Sequence, residues 1–334
     1  MGKIASPQSK ISLEMIVRAS VQLALEKAGS NKRVVDSVLR LSDHFISRPN
    51  DKTPWNEDWC EIAYLAYFLP SSLARLNSVY NYCSETGFLT NFDGIVDFGS
   101  GMGATSFVFQ DFSIHSIELS EKAKGWHQRI AKHVEMNTDL SWSHQMVDKY
   151  GFNTLVCSNS LTEFSEIPNW VLKFENVVIV EPSTFDDSRR LMRYRDKLVE
   201  SGFNMWAPCT HNLPCPLLTH SKRDWCHEFT GSIDEELFSQ ITKQLPFKSD
   251  RLGFSYLAAS KSPPIRNANI GRVVGDPLKE KGKTRQLVCT GEDRLFLTWM
   301  KKDHKKPRLP RRGERFEIDP EASTISNEIR IPRS

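Results

Sequence analysis

Apolar residues in the first part of the chain fall at helical spacing. Leu13, Ile16, Val17 and Val21 follow i, i+3, i+4, i+8, and Val35, Val38, Leu39, Phe45 and Ile46 repeat the pattern. Each run puts one apolar stripe on one face of a helix. Glu61 to Phe68 predicts a third helix stopped near Pro70, and Ser71 to Tyr82 a fourth that ends before Gly87. From Phe92 the period shortens. Ile95–Phe98 reads as a buried strand, followed by glycines and an apolar helix from Ala104 to Phe109. Ile114–Ile117, Thr154–Cys157 and Asn176–Val180 are further strands, with helices from Glu121 to about Val134 and from about Asp186 to Ser201. Strands alternating with helices predict a parallel sheet with crossover helices. Phe254–Ala259 adds a late strand.

Two later stretches break this rhythm. Pro208 to Phe229 holds three Cys, three His and three Pro with no clean period, which predicts an ordered loop held by something other than a core. After Ser262-Pro263-Pro264, the segments Arg272–Val274, Arg285–Cys289 and Leu295–Trp299 predict a small β extension between Gly and Pro turns. The last twenty residues are expected to be disordered when alone.

Composition narrows the class. The chain has 334 residues, 39% hydrophobic and 25% charged, enough to bury a sizeable core. It has no run of eighteen apolar residues, so no membrane span is expected. The N-terminus shows no charged region followed by an apolar one, which sets the expectation of a non-secreted protein. Seven Cys then point to a reducing compartment, where clustered cysteines bind metal or do chemistry more often than they form disulfides. The net charge of +3 hides an asymmetry. From Lys301 to Arg315 eight basic side chains face only Asp303 and Glu314, a local +6 on a body that sums to −3. Lys301, Lys302, Lys305, Lys306, Arg308, Arg311 and Arg312 would suit a polyanion, with a solvated tail as the alternative. Trp299 and Phe316 flank the run, either to stack on an unpaired base or to pack against the extension.

Asp97-Phe98-Gly99-Ser100-Gly101-Met102-Gly103 sits at a strand end and opens a helix. Glycines at alternate positions let backbone approach a ligand closely, and the Asp97 carboxylate can face an ammonium group. Glu118 ends the next strand, where an acid accepts hydrogen bonds from ribose hydroxyls in doubly wound folds. The dinucleotide fingerprint is G-x-G-x-x-G. Here the glycines Gly99, Gly101 and Gly103 fall as G-x-G-x-G with an acid two positions earlier, the pattern usual for S-adenosylmethionine in class I methyltransferases. A tight turn without a ligand is the alternative. The D/N-P-P-Y/F acceptor loop of many amino methyltransferases is replaced by Cys157-Ser158-Asn159-Ser160-Leu161-Thr162-Glu163. Asn159 and Glu163 are candidate catalytic groups there, with helix capping as the competing role.

Cys209, Cys215 and Cys226 are spaced C-x5-C-x10-C, and Cys289 follows on a predicted β element. Four thiolates can hold a tetrahedral zinc or a four-iron cluster, and the spacing alone leaves that choice open. His211, His220 and His227 are possible substitutes for one Cys. A catalytic thiolate on Pro208-Cys209 or Pro214-Cys215, as in enzymes that methylate C5 of a pyrimidine, is a lesser reading. Cys60, Cys83 and Cys157 sit in apolar stretches and read as buried small hydrophobes.

These pieces together resemble the methyltransferase-like assembly factors of the small ribosomal subunit, found in mitochondria and with bacterial relatives. The resemblance runs from about residue 60 to 303. Tyr64 to Pro70 resembles that family's Y-x-A-x-R-x-P stretch, with Phe68 at the Arg position. Ile95 to Thr105 resembles its cofactor loop, Leu161-Thr162-Glu163 its L-x-E segment, and Val180-Glu181-Pro182-Ser183 its V-E-P-G strand end. Cys209 to Pro216 is similar to its C-P-H-x-x-x-C-P signature, with Thr210 for Pro, and Trp225-Cys226-His227 and Cys289 complete the set. The resemblance implies a [4Fe-4S] cluster on Cys209, Cys215, Cys226 and Cys289, and binding to small-subunit rRNA.

The expectation is therefore an α/β, class I methyltransferase-like (Rossmann-like) parallel sheet with a helical N-terminal cap, a Cys-rich loop insertion and a small C-terminal β extension. Its parts would be a helical region over 1–90, a methyltransferase-like domain over 91–262 with the Cys-rich loop at 207–229, the extension over 263–303 and a basic, flexible tail over 304–334. The expected function is an rRNA-binding small-subunit assembly or translation factor with S-adenosylmethionine and [4Fe-4S] as cofactors, zinc being the runner-up. It would be cytoplasmic and ribosome-associated, with the mitochondrial matrix as the alternative compartment. An active rRNA methyltransferase and a zinc-stabilised small-molecule methyltransferase are the competing functions.

Overall fold

The structure, a computed structural model, describes residues 10–48, 51–137, 139–146, 151–231, 233–246, 251–266, 269–291 and 293–333. Helices α1 (Leu13–Ala28) and α2 (Asn31–Ser47) lie where the apolar spacing puts them. The Ser12 and Ser30 hydroxyls cap them by accepting N–H groups of the first turn, and Gly29, at φ 74°, ends α1. Pro70 does not stop the next helix. α3 (Asp58–Ala63) widens into a π turn over Tyr64–Phe68 and continues as α4 (Leu69–Glu85). In that wide turn the Leu69 N–H bonds Tyr64 O, one residue before Pro70, which has no N–H to give.

The main sheet holds β1 (Ile95–Phe98), β2 (Ile114–Ile117), β3 (Leu140–Ser143), β4 (Thr154–Ser158), β5 (Asn176–Glu181), β6 (Asn204–Ala207), the two-residue β7 (Glu228–Phe229) and β8 (Gly253–Ser260). Its order is β3-β2-β1-β4-β5-β8-β6. The first five strands are parallel, and β8 runs antiparallel between β5 and β6. That reversal at one edge is the class I methyltransferase arrangement. Successive side chains on a strand point to opposite faces, and two cores follow. Ile95, Val156, Val178 and Val180 pack against the N-terminal helices, α5 (Ala104–Val108) and α6 (Glu121–His133). Val96, Leu155, Val177 and Ile179 pack against α7 (Phe185–Glu200) through Leu191, Tyr194 and Leu198. The buried Glu61 ties the N-terminal cap to α6: it accepts from Trp126 Nε1 at 2.9 Å and pairs with Lys122 at 3.0 Å and Lys27 at 3.1 Å.

After β6 come the short helices α8 (Pro216–Thr219) and, beyond β7, α9 (Glu236–Thr242), which packs beside the N-terminal helices. The C-terminal part is a second sheet rather than a short extension with a flexible tail. It contains β9 (Ile270–Val273), β10 (Leu278–Glu280), β11 (Lys283–Cys289), β12 (Arg294–Met300), β13 (Arg315–Glu317), β14 (Ser323–Ile325) and β15 (Glu328–Arg330). The order is β13-β9-β11-β12-β15-β14, with β10 paired to β11, and β15 lies parallel to β12. The expected tail over 304–334 thus supplies three strands of this sheet. Ile329 joins Val288, Leu297 and Trp299 in its core, and Glu328 bridges Lys283 at 2.5 Å and Arg285 at 3.3 Å. Trp299 is buried edge-to-face against Phe316, so its packing role is the one realised. The sheets are joined by the ion pair Arg272–Glu228 at 2.7 Å, from β9 to β7.

Candidate functional site

The glycine loop leaves the end of β1. Gly99 and Ser100 donate to Ile117 O at 3.0 and 3.1 Å, and Gly103 donates to Ser100 O at 2.7 Å, so the loop is wound tightly against β2. All three glycines have positive φ, where a side chain would be strained. A Cβ on Gly99 would sit 2.5 Å from Ser160 Cβ, and one on Gly103 2.4 Å from His127, whereas a Cβ on Gly101 would meet nothing within 4 Å. Two glycines therefore serve close packing, and the middle one borders open space.

Asp97 is 1% exposed, and its Oδ2 has no hydrogen-bond partner. Burial pushes its carboxyl up to about 7, opposed by a hydrogen bond with Thr105 and reinforced by Glu118. A buried carboxylate oxygen without a partner is costly unless a donor arrives, and an ammonium group would supply one. Glu118 accepts the Gly101 N–H at 2.8 Å and the Ser120 N–H at 2.9 Å. A carboxylate has about four lone-pair sites, so these bonds leave acceptor capacity for hydroxyls.

Asn159 follows β4 at φ 54°, its N–H donating to Val180 O at 2.7 Å, and it is half-buried. Glu163 is exposed on the loop beyond. That loop contains bends and turns and no α-helix, so capping is not the role of either residue. Glu181, a site residue that spacing alone did not single out, ends β5 at 1% exposure and accepts the Leu161 N–H at 3.1 Å. It anchors the Asn159–Glu163 loop from below, and the acid-proline step after an apolar strand was its only signal.

Burial pushes the Glu181 carboxyl from its ordinary 4.5 up to about 8, opposed by Arg190. The folded chain then holds a proton that the unfolded chain releases. The stability from this group is full below the unfolded value and is lost as pH rises through about 8. Glu181→Gln is expected to flatten the fall in denaturant stability between those two values. A variant that kept the wild-type slope would assign that slope to other groups.

The four cysteines predicted as a set come together. Cys209 follows β6, Cys215 precedes α8, Cys226 precedes β7 and Cys289 ends β11, and all four line one cavity of ≈ 30 Å³. By the measure in which one water needs ~10–15 Å³, it has room for about two waters. Three of its sulfurs come from loops of the methyltransferase-like part and one from the second sheet. Burial pushes the Cys215 and Cys226 thiols up and the Cys289 thiol up to about 12. His211 also lines the cavity, its Nε2 3.4 Å from Cys289 Sγ. Among the described residues no group of three or more His, Cys, Asp or Glu is set to hold a single metal ion. Cys60, Cys83 and Cys157 are fully buried in the two main cores, as expected.

Arg195 and Arg272 also line the cavity, at 1% and 3% exposure. Nothing in the spacing of the sequence set them apart from solvated arginines. In the basic segment, Lys301, Lys302, Lys305, Lys306, Arg308 and Arg311 are exposed. Arg312 differs: it donates to Val274 O and pairs with Asp276 at 3.0 Å, with only 14% of its side chain exposed. Its guanidinium holds the second sheet together instead of facing a polyanion.

No helix among the described residues is long and apolar enough to cross a membrane. No curated protein matches the chain. Among solved structures, magnesium protoporphyrin IX methyltransferase from Synechocystis PCC 6803 is 13% identical, covering 68% of this chain and 97% of that one with a TM-score of 0.35. The 16S rRNA methylase ArmA is 12% identical over 58% of this chain and 87% of that one, TM-score 0.34. A putative RNA methyltransferase from Pyrococcus horikoshii is 11% identical over 55% and 84%, TM-score 0.33. The fold class rests on strand order and the antiparallel β8 rather than on these distant likenesses. The family model described as mitochondrial small ribosomal subunit Rsm22 matches residues 59–316, from the start of α3 through β13 and across all four cavity cysteines. The chain belongs to that family.

Proposed function

We propose that this protein binds small-subunit ribosomal RNA as an assembly or translation factor, with a [4Fe-4S] cluster on Cys209, Cys215, Cys226 and Cys289 joining its two sheets. The observation that carries this reading is the convergence of four thiols, 80 residues apart at the extremes, on one cavity between the methyltransferase-like part and the second sheet. A zinc ion gathers four sulfurs at ~2.3 Å from one point. Four thiols lining one cavity also suit a polynuclear cluster in which each Cys takes a different iron, the arrangement that the sequence resemblance implies. When bound, the cluster supplies cross-links, so its binding energy becomes folding energy for the second sheet.

The orphaned Asp97 oxygen, the open space above Gly101 and the free lone pairs of Glu118 fit S-adenosylmethionine: Asp97 would hold its ammonium and Glu118 its ribose. Methyl transfer is a second reading, favoured by half-buried Asn159 at the carboxyl end of β4, where ligands bind in such sheets. Full-length protein purified without oxygen, mixed with isolated small subunits and labelled S-adenosylmethionine, tests both. Binding without transferred label supports the assembly factor. Label in the rRNA that Asp97→Ala abolishes makes the protein an enzyme, and failure to bind subunits overturns the main reading.

The exposed basic run supports a phosphate-binding role for this segment. Each neutralised phosphate contributes roughly 0.7–0.9 to the slope of log affinity against log salt. Replacing Lys305, Lys306, Arg308 and Arg311 together by Ala is expected to cut that slope by up to about 3.6 without changing the thermal melt. An unchanged slope would remove this segment from the interface.

A further inference from the structure

The cavity carries more charge than four cysteines explain. Arg195 reaches it from α7 in the methyltransferase-like part, and Arg272 from β9 in the second sheet. Both are almost wholly buried, and the Nε of each has no hydrogen-bond partner. Arg195 donates to His211 O at 2.8 Å and pairs with Asp196, while Arg272 donates to Gly313 O at 3.1 Å and pairs with Glu228 at 2.7 Å. Arg195 also interacts with the Cys209 thiol, and Arg272 with the Cys226 thiol. Burying a guanidinium costs several kcal/mol unless opposite charge faces it. One carboxylate each, Asp196 at 28% and Glu228 at 17% side-chain exposure, answers part of that cost. Two cations still meet across a small sulfur-lined hole.

We propose that Arg195 and Arg272 are positioning residues for the group the cysteines hold, two fixed counter-charges that set its reduction potential. The assignment rests on the iron–sulfur reading above. A [4Fe-4S] core with four thiolates is a dianion when oxidised and a trianion after it accepts one electron from a one-electron donor, with no bond broken and no proton moved. Positive charge in a low-dielectric wall favours the trianion, so the two arginines make reduction easier. Glu228 works against Arg272, and removing its charge strengthens the cation. The two kinds of substitution must therefore act in opposite directions, which loss of packing does not produce.

The test uses the full chain purified without oxygen, as wild type, Arg195→Met, Arg195→Lys and Glu228→Gln. Iron and sulfide are assayed first. Each protein is then titrated with dithionite in the presence of redox mediators, and the reduced form is followed by electron paramagnetic resonance and loss of visible absorption. At the wild-type midpoint, Arg195→Met is expected to have a reduced-to-oxidised ratio about tenfold lower, a shift of about 59 mV for one electron. Arg195→Lys, which keeps the charge, restores most of it, and Glu228→Gln moves the ratio the other way. If Arg195→Met does not load iron, Glu228→Gln decides. Loaded variants whose potentials stay at the wild-type value, or all move together, overturn this assignment and leave the cluster standing. A wild-type chain without iron and sulfide overturns the cluster reading, and this assignment with it.

Discussion

Cys226→Ser protein purified without oxygen is expected to be colourless, to lack iron and sulfide, and to melt more than about 10 °C below the wild type. The size follows from the place of the cavity. Met192 from α7, Leu217 from α8 and Val274 and Leu287 from the second sheet make a small apolar cluster around Cys215 and Cys289. That cluster, the Arg272–Glu228 pair, the Arg294–Asp224 and His220–Asp293 pairs and the Arg315 bond to Trp206 O make up the join. A cluster ligated from both sides would supply several kcal/mol more, and a domain of about 150–250 residues loses about 2–4 °C per kcal/mol. Limited proteolysis should then cut first between β8 and β9, because the second sheet has lost its anchor. Cys289→Ser should behave alike, although it lies on the other side of the join. A Cys226→Ser protein with wild-type melt and iron content would show that Cys226 is not one of the ligands.

Asp97→Asn is expected to weaken S-adenosylmethionine binding about 10- to 100-fold, the scale of losing a charged hydrogen bond worth ~1.5–3 kcal/mol. It should leave iron content alone, because Asp97 lies on β1 and does not line the cysteine cavity. The pH dependence gives a second check. With the free carboxyl raised to about 7 by burial, the ligand's ammonium must draw off a proton to bind below that value. Wild-type affinity should therefore rise as pH increases through about 7, and the Asn variant should show no such step. Calorimetric titration across that range measures both. Equal affinity in the two proteins would place the cofactor's amine elsewhere.

The strands that hold the glycine loop were legible because burial on both faces writes an unbroken apolar run, as in Val177 to Val180. The edges were not. β3 is Leu-Ser-Trp-Ser and partly exposed, so half its signal is polar, and β13 to β15 are three residues each within a charged stretch. Pro70 misled because a proline reads as a stop only when the preceding turn keeps its α pitch. At the sites, glycines and cysteines declare themselves by type and spacing. Arg195, Arg272 and Glu181 do not, since a buried charge looks in sequence like a surface one. Only the packing of α7, β9 and β5 shows which way they face.

The parallel β15 has a further consequence. It covers the side of β12 that β11 leaves unpaired, and β14 then becomes the outermost strand, with Ser323, Thr324 and Ile325 all exposed. A bare strand edge is a template for another chain. Protein clipped before Ser323 would present β12, Arg294 to Met300, with Phe296 and Leu297 among its residues, as an open seven-residue edge. The β14–β15 pair thus caps the β12 edge, and its removal would expose a longer and more apolar edge in place of a short polar one.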